Sequence, residues 1–515
     1  MEQGNKHRTS SPTGTTRPLD HILKYTGVFG GVQGLSMLVS VVRNKLASWL
    51  LGQVGFALVS VYNSIGELVS STSNFGIPFS AVRHVSELQE LGASRESETE
   101  RFVLVVRTWC VWTALLAVAL LALFSPVLAS VFSDTDIQLR ASSIIMLAPM
   151  VASMAITGGE ISILKGTHRL KRVASISALG ALSAFVCTIP FYWLWKIDGI
   201  VIALDVSTVA YAAINLAFTI PVYPWRISPC SLSVFKQGLA MIRLGVPYVM
   251  AAVAGSGVGL ALPALFVEFG QMADVGLYRA AFMVMGSYAG IVFTALEADY
   301  FPRLSSVNHD AARRNATIDQ QVRVCVLIIA PLLILMMIAM PLIINILFAP
   351  DFKSVAPIAI CAALYPLSRA LTLPMGYTAL ACGHSLLYLC MEIIYDLASL
   401  ALIAGGYYLW GLVGAGLGLS AAGVFDLLLI GSCYGAYYHI RLNRTTLMLA
   451  SEQATLVVAT ILACMYLPLS WHLPFGILLL LVSFWLSWNV LSRESAVIEK
   501  LIKRFHLECL CHRRR

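Results

Sequence analysis

The chain alternates long apolar stretches with short polar segments from near its start to near its end. Fourteen of the apolar stretches are long enough to cross a bilayer as helices, because a hydrocarbon core of ~30 Å requires about twenty residues. The intervals between them are too short to fold as separate soluble domains. We therefore predict an all-α polytopic membrane protein whose spans are residues 25–42, 54–82, 104–131, 141–164, 174–195, 199–221, 244–267, 275–300, 322–348, 356–381, 386–408, 411–438, 453–471 and 474–491.

The second predicted span carries polar side chains in its middle, where a lipid-facing helix would be apolar. Asn63 and Glu67 lie near its centre, and a run of serine, threonine and asparagine occupies residues 70–74. Polar and ionisable groups at this depth usually face the interior of a helix bundle or a water-filled cavity. The pattern predicts that residues 54–82 line a path through the protein.

Three sequence patterns occur twice, with 215 to 221 residues between the two copies. The matching pairs are 147–168 with 364–384, 192–199 with 407–414, and 54–83 with 275–303. This repetition predicts that spans one to six and spans seven to twelve are two copies of one six-helix unit. Because six is an even number, both copies begin on the same side of the membrane. Parallel repeats of this kind are a transporter architecture, with the substrate site between the two halves.

The join between the two repeats predicts the domain organisation. It holds Pro224, Trp225 and Pro229 between two apolar stretches. We expect a cytoplasmic tail at 1–23, a first lobe at 24–223, a cytoplasmic linker at 224–243, a second lobe at 244–440, two further membrane helices at 441–492 and a basic cytoplasmic tail at 493–515.

Charge is scarce and lies mostly on one side of the predicted membrane. Only 12% of the residues are charged while 58% are hydrophobic, whereas soluble domains carry roughly 25% charged residues. Of the 35 Lys and Arg residues, 28 fall in the terminal tails, in every second loop or at the adjoining helix ends. By the positive-inside rule both termini are cytoplasmic. The net charge of +8 is then largely charge of the inner face, so it does not indicate nucleic-acid binding.

The sequence shows no constellation typical of an enzyme or of a cofactor site. Its histidines lie mostly in termini and loops, and it has no G-x-x-x-x-G-K-[ST] phosphate loop. The eleven cysteines are scattered, and only Cys509 and Cys511 lie close together, beside His512. Too few further ligands accompany this trio for a metal site, so we interpret the two cysteines as ordinary thiols. We expect a protein that is not an enzyme and that uses neither cofactor nor metal.

Charged residues inside or beside the spans are the candidates for function, because a charge in the hydrocarbon region is costly. Arg369 is the clearest, since it lies thirteen residues into span ten, or about 20 Å from the outer edge. Its counterpart in the first repeat is Ala152, so the shared scaffold does not need the charge. The predicted substrate-binding set comprises Arg369, Arg279, Arg43, Lys45, Arg83 and Arg303, together with Asn63 and Glu67.

A second predicted site consists of carboxylates. Glu392 and Asp396 are four residues apart and therefore share one helix face. Asp426 lies at a similar depth on the following span, about 15–18 Å from the inner edge. Carboxylates meeting across neighbouring helices predict a site for a coupling H⁺ or Na⁺. The alternative is that they pair with Arg369 or with helix dipoles and have a structural role only.

Short motifs between residues 43 and 83 resemble one known family. They are Arg-x-Lys-x-Ala at 43–47, Leu-Leu-Gly at 50–52, Gly-Phe at 55–56, Val-Tyr-Asn-Ser at 61–64, Gly-Ile-Pro at 76–78 and Ala-Val-Arg at 81–83. In these motifs, and in its general pattern over nearly its whole length, the chain resembles bacterial O-antigen translocases. These are oligosaccharide-lipid flippases of the multidrug and polysaccharide exporter superfamily. The resemblance implies a MATE-like fold in the bacterial inner membrane. It also implies alternating access that flips an undecaprenyl-pyrophosphate-linked oligosaccharide, with membrane lipid and a polysaccharide polymerase as partners.

Three alternatives remain. A peptidoglycan lipid flippase shares the fourteen spans, although the motifs at 61–64 and 81–83 look closer to O-antigen translocases. A cation-coupled multidrug exporter usually carries cationic substrates and typically has twelve spans, and both features fit this chain less well. The third alternative belongs to a different class, a non-transporting scaffold in a polymerising complex. Intramembrane charges without repeat counterparts are costly for a scaffold.

Overall fold

The architecture was obtained as a computed structural model, which describes residues 18–90, 96–132, 139–229 and 231–494. The predicted tails lie largely outside these residues, and so do Cys509, Cys511 and His512. The helices are α1 Pro18–Ser73, α2 Ile77–Glu90, α3 Glu96–Val131, α4 Ala141–Ile145, α5 Ala148–Gly166, α6 Leu170–Trp195, α7 Ile200–Thr219, α8 Leu232–Phe269, α9 Met272–Phe282, α10 Ala289–Ser306, α11 Ala311–Ile338, α12 Met340–Leu347, α13 Val355–Cys361, α14 Leu364–Ala381, α15 Ser385–Tyr438, α16 Arg444–Tyr466 and α17 Leu469–Glu494.

The prediction of an all-α polytopic membrane protein is confirmed. In the described ranges, nine helical segments are long and apolar enough to cross a membrane, and a bent pair at 350–381 makes ten. The number of fourteen spans is not confirmed by this criterion. The three longest segments each contain a break where we predicted a boundary between spans: at Gly52, at Lys196–Gly199 and at Trp410–Gly411.

The second predicted span is shorter than we expected. It continues α1 beyond Gly52, but α1 ends at Ser73 and α2 begins at Ile77, so residues 54–82 are not one helix. Two local features explain the break. The Asn74 side chain accepts a hydrogen bond from the backbone N–H of Gly76 at 2.8 Å. Gly76 adopts a φ of 70°, which takes the chain out of the helix and which glycine accepts without steric cost.

The predicted internal repeat is visible in the backbone. Helix α5 begins one residue before Pro149, and α14 begins two residues before Pro366. Each follows a short non-helical turn after the preceding helix. Lys196 and Gly411, which are 215 residues apart, both adopt a positive φ (47° and 61°) at the next helix-to-helix break. The two halves of the chain therefore repeat their irregular points as well as their apolar segments, in agreement with two pseudo-symmetric lobes.

Helices α1 and α8 connect the two groups of helices. α1 packs against α3, α5 and α6 of the first half and against α8 and α9 of the second. α8 packs against α15 in the second half and against α1, α2 and α3 in the first. The last two helices, α16 and α17, pack on α11. The surface between the lobes is thus formed mainly by α1 and α8, and the polar part of α1 lies on it.

Candidate functional site

A small cavity inside the second lobe brings together Arg369, Glu392 and Asp426. It has a volume of about 60 Å³ and lies between α14 and the two halves of α15. Arg369 Nη1 is 3.6 Å from Asp426 Oδ2, with the Asp426 side chain 8% exposed and that of Arg369 33% exposed. The remaining lining residues are Thr372, Leu373, Gly376, Tyr377, Tyr388, Met391, Tyr395, Ile430 and Tyr434.

Helical periodicity explains why these side chains converge. Tyr388 and Glu392 are four residues apart on the first half of α15, so they share a face. Asp426, Ile430 and Tyr434 follow the same four-residue spacing on the second half. The break at Trp410–Gly411 folds the two halves back beside each other. Two polar faces of one long segment therefore meet α14, which supplies Arg369.

Asp396, the third predicted carboxylate, does not line this cavity. It lies one turn beyond Glu392 on the same face and approaches α8. Its Oδ2 lies 3.6 Å from the position that a Cβ atom would occupy at Gly255. Within the described part of the chain, no three His, Cys, Asp or Glu side chains are placed to hold one metal ion. Glu392 and Asp426 thus share a site, and Asp396 lies between that site and the surface between the lobes.

The polar residues of α1 face the second lobe. Asn63, Glu67 and Ser71 are spaced by four residues and lie on one face of the helix. Ser71 Oγ is 3.1 Å from Ser256 Oγ of α8, which directs this face toward α8. Asn63 is partly buried and donates to the Val59 carbonyl of its own helix at 2.7 Å, whereas Glu67 is exposed. The face forms a polar strip that meets α8 at Ser71; that residues 54–82 line a path stays a prediction.

Lys45 joins the lobes at the end of the bundle predicted to be outer. Its Nζ donates to the backbone carbonyls of Asn345 (2.6 Å) and Phe348 at the end of α12, where a cation also suits the helix dipole. Nearby, the N–H of Ala349 donates to Ser48 Oγ at 2.9 Å. Further along α1, Gln53 Nε2 donates to the Asp351 carbonyl at 2.6 Å. These contacts, called the outer latch below, hold α1 against the second lobe.

The other predicted basic residues lie apart from the cavity. Arg43 is partly buried on α1, two residues before Lys45. The Arg279 guanidinium lies over the Phe282 ring of its own helix, 5.9 Å from the centroid. Arg83 is exposed and pairs with Glu87 at 3.0 Å. Arg303 is exposed and donates to Gln321 Oε1 at 3.1 Å.

Two hydroxyl groups that the sequence reasoning missed complete the cavity. Thr372 Oγ1 is buried beside the Asp426 carboxylate, and Tyr434 Oη is buried with no hydrogen-bond partner within the described residues. A buried hydroxyl without a partner is costly, so a polar occupant of the cavity would stabilise Tyr434. A sequence signal exists for Tyr434, which lies eight residues after Asp426 and so on the same helix face.

A second buried ion pair, also missed, lies in the first lobe. Arg107 and Glu160 are each 1% exposed and form a bidentate pair, with Nε–Oε1 at 2.7 Å and Nη2–Oε2 at 3.0 Å. Arg107 Nη1 also donates to the carbonyls of Tyr223 and Pro224, both at 2.8 Å. The pair ties α3 and α5 to the start of the predicted linker. Its role is therefore to hold the scaffold.

Comparison with protein families places more than half of the chain in a known family. The sequence pattern of the family described as "Polysaccharide biosynthesis protein" matches residues 50–357, which is more than half of the chain. This region includes the polar strip of α1, the ion pair of the first lobe, and Gln53 and the second-lobe residues of the outer latch. Lys45 and Ser48 of the latch precede it. Among curated proteins, no sequence matches the chain.

Comparison with solved structures gives matches over nearly the whole fold. The lipid II flippase MurJ, in an inward closed conformation, matches with a TM-score of 0.66 at 14% identity, covering 91% of this chain and 99% of MurJ. Two structures of multidrug resistance MATE family transporters of the MOP superfamily also match. An inward-facing conformation has a TM-score of 0.53 at 14% identity, covering 80% of this chain and 95% of that transporter. An outward-facing conformation has a TM-score of 0.52 at 13% identity, covering 80% of this chain and 93% of that transporter. At these identities the matches show a shared fold.

Proposed function

The chain belongs to the polysaccharide biosynthesis protein family, and we infer from this that it is a flippase for a lipid-linked oligosaccharide. The proposed substrate is an undecaprenyl-pyrophosphate-linked repeat unit of O-antigen or of a related surface polysaccharide. The protein would move it from the inner to the outer leaflet of a bacterial inner membrane, with both of its own termini in the cytoplasm. The fold shared with flippases and transporters of the superfamily supports transport rather than catalysis.

The observation that carries this proposal is the polar strip of α1 between the lobes. Asn63, Glu67 and Ser71 share one face of α1, which meets α8 at Ser71, at a depth where a helix packed only for stability would be apolar. Sugar hydroxyls need such polar partners while they cross the hydrocarbon region. A surface between two lobes can also open to one side and then to the other, as alternating access requires. The outer latch supports the same mechanism, because it closes one end of this surface with bonds that relative movement of the lobes would break.

The cavity of the second lobe is a separate site in this proposal. Its volume of about 60 Å³ has room for a cation or a few waters, since one water needs roughly 10–15 Å³ by the same measure. It is far too small for an oligosaccharide. Glu392 and Asp426 with the hydroxyls of Thr372 and Tyr434 offer oxygen atoms to a coupling cation. Asp396 lies between this cavity and α8. Binding of a cation in the cavity would therefore change the electrostatic field at Asp396 and at the surface between the lobes.

Arg369 has two roles in this proposal. It neutralises Asp426 across 3.6 Å, and its partly exposed guanidinium can bind the pyrophosphate of the substrate. A guanidinium stays charged when buried and matches phosphate oxygens with two parallel N–H donors. Arg279, Arg43, Arg83 and Arg303 would then add positive charge along the way to this group.

The direct test is transport by the purified protein in proteoliposomes that contain an undecaprenyl-pyrophosphate-linked oligosaccharide. Appearance of the sugar on the opposite leaflet is followed with a membrane-impermeant lectin or glycosidase. We expect protein-dependent movement, which should stop when a disulfide locks the outer latch. If correctly folded protein moves no lipid-linked oligosaccharide of any sugar composition, the proposed function is wrong.

Peptidoglycan precursor transport is a second candidate, because the fold matches the lipid II flippase MurJ over 91% of this chain. The same proteoliposomes loaded with lipid II distinguish the two substrates. Both carry a polyprenyl pyrophosphate, so Arg369 suits either, and discrimination must come from the sugar-facing strip. Movement of lipid II without movement of the oligosaccharide would favour this candidate.

A further inference from the structure

A ladder of tyrosines connects the cavity of the second lobe to the cytoplasmic end of α15. Asp426, Ile430, Tyr434 and Tyr438 follow one another at intervals of four residues, and Tyr438 is the last residue of the helix. They therefore lie on one helix face, with about 6 Å of rise between successive members. Asp426 and Tyr434 both line the cavity, so the upper part of the ladder faces it.

The lower end of the ladder contacts a histidine. Tyr438 Oη and His384 Nδ1 are 2.8 Å apart and form a hydrogen bond, and the two rings are stacked. His384 is exposed in the turn between α14 and α15, on the predicted cytoplasmic side. The rings of Tyr434 and Tyr438 contact edge to face, with centroids 5.4 Å apart. The Tyr434 hydroxyl at the cavity is thus followed along the helix by the Tyr438 hydroxyl, which is hydrogen-bonded to the solvent-exposed imidazole of His384.

Other elements hold this end of the ladder in place. From α11, Arg314 Nη2 donates to the Tyr438 carbonyl at 2.7 Å, and its guanidinium lies over the Tyr438 ring. Tyr437 packs against both His384 and Tyr438. Among the described residues, the titratable and charged groups near His384 and Tyr438 are Tyr437, Arg314, His439 directly after the helix, and Cys382 one residue before the turn glycine. None of these is a carboxylate, so an acid is present only at the cavity end of the ladder.

We propose that Tyr434, Tyr438 and His384 form a proton relay between the Glu392–Asp426 cavity and the cytoplasm, and that the coupling ion of the proposed flippase is therefore a proton. The inference rests on the proposed function, to which it adds the identity of the ion and its route. A carboxyl group in the cavity gives its proton through cavity water to Tyr434 Oη, which has no direct hydrogen-bond partner among the described residues, and that hydroxyl passes its own proton on. Tyr438 Oη accepts that proton through a further water and gives its own to His384 Nδ1. The imidazolium then loses its Nε2 proton to the cytoplasm, so each tyrosine ends with one proton, as it began.

A proton suits this site better than a metal ion. Sodium needs several oxygen ligands around one point, and of the two carboxylates in the cavity Asp426 is already paired with Arg369 at 3.6 Å. A relay needs only a series of hydroxyl and imidazole groups, each of which accepts and donates. Histidine is the side chain suited to exchange protons with the cytoplasm near neutral pH. The unpartnered hydroxyl of Tyr434 has a use in this scheme, because it can bond to the proton donor in the cavity.

The test uses the full-length protein in proteoliposomes with a pH-sensitive dye inside and a lipid-linked oligosaccharide in the membrane. We expect a proton gradient to accelerate flipping by the wild type. His384→Ala and Tyr438→Phe should lose most of that acceleration and keep the flipping seen without a gradient. Tyr437→Phe is the matched control, because it removes a neighbouring tyrosine hydroxyl outside the ladder and should respond like the wild type. Added imidazole should restore His384→Ala and leave Tyr438→Phe unchanged, which a structural role of His384 would not explain.

Two results would overturn the relay. One is full acceleration by the proton gradient in both variants, and the other is a wild type that responds to a sodium gradient alone. A response to a sodium gradient alone would contradict the relay but not the proposed flippase function. Proton uptake recorded by the same dye without substrate separates the two proposals further. A wild type that takes up protons through His384 but moves no oligosaccharide supports the relay and refutes the proposed substrate.

Discussion

Removing Arg369 tests whether this residue binds substrate or only balances the charge of Asp426. The guanidinium is 3.6 Å from the Asp426 carboxylate, which is 8% exposed. Two unit charges at this distance attract by about 4.6 kcal/mol at an effective dielectric constant near 20. Removing one partner of a buried pair costs roughly 3–5 kcal/mol, because the other charge stays buried alone. Since a third of Arg369 is exposed, we expect the lower end of this range.

A loss of about 3 kcal/mol is large compared with the stability of a typical domain. Arg369→Ala alone therefore reduces the amount of folded protein as well as function, and lost surface glycan would not identify the cause. The double variant Arg369→Ala/Asp426→Asn removes the stranded charge. We expect it to return membrane abundance close to that of Asp426→Asn, while binding of the lipid-linked oligosaccharide stays lost.

The assay measures three quantities for each variant: surface polysaccharide in cells, membrane abundance, and substrate binding by the purified protein. Arg369→Lys should restore binding in part, since charge returns without the planar pair of donors. Arg313→Ala is a control for the loss of one arginine outside the proposed binding set, because Arg313 is exposed and pairs with Asp310 at 3.3 Å. Normal binding by the double variant would show that Arg369 serves Asp426 alone and would remove it from the substrate path.

Four further predictions follow from the same contacts. Asp426→Asn should weaken the dependence of transport on an ion gradient more than it weakens substrate binding; unchanged gradient dependence would leave this carboxylate a structural role. Arg107→Ala should lower stability by roughly 3–5 kcal/mol, seen as a lower unfolding temperature in detergent, and adding Glu160→Gln should recover part of the loss. Cysteines at Ser48 and Ala349, whose Oγ and N atoms are 2.9 Å apart, should cross-link and stop transport until reduced, whereas either single cysteine should transport normally. A reporter that is active only outside the cytoplasm should stay silent when fused after Arg515, and a strong signal would reverse the orientation used throughout.

Hydropathy and periodicity were sufficient to predict the membrane fold and its repeat. The spans depend on runs of apolar side chains, which are a local property of the sequence. The repeat of 147–168 in 364–384 appears in the structure as the same break before the same proline. The shared face of Glu392 and Asp396, and the polar strip of Asn63 and Glu67, also follow from the spacing of residues along one helix.

The break after Ser73 was not predicted, although its cause is local. The predicted span extends through residues 70–76 because they carry no charge, although most of them are polar. The backbone turns there through the Asn74 side chain and the positive φ of Gly76. The absence of charge alone thus overestimated the second span.

Partners on other helices were decided by the tertiary structure alone. In the sequence, nothing links Lys45 to Phe348, Arg107 to Glu160 or His384 to Tyr438. These partners lie 303, 53 and 54 positions away. Likewise, the four-residue spacing places Asp396 beside Glu392, but only the packing of α8 turns it away from the cavity. Which face of a helix meets which neighbour depends on how the lobes pack together, and this packing is a sum of many weak contacts between distant segments. Local patterns therefore determined the helices and their polar faces, and the tertiary packing determined which polar groups became a site.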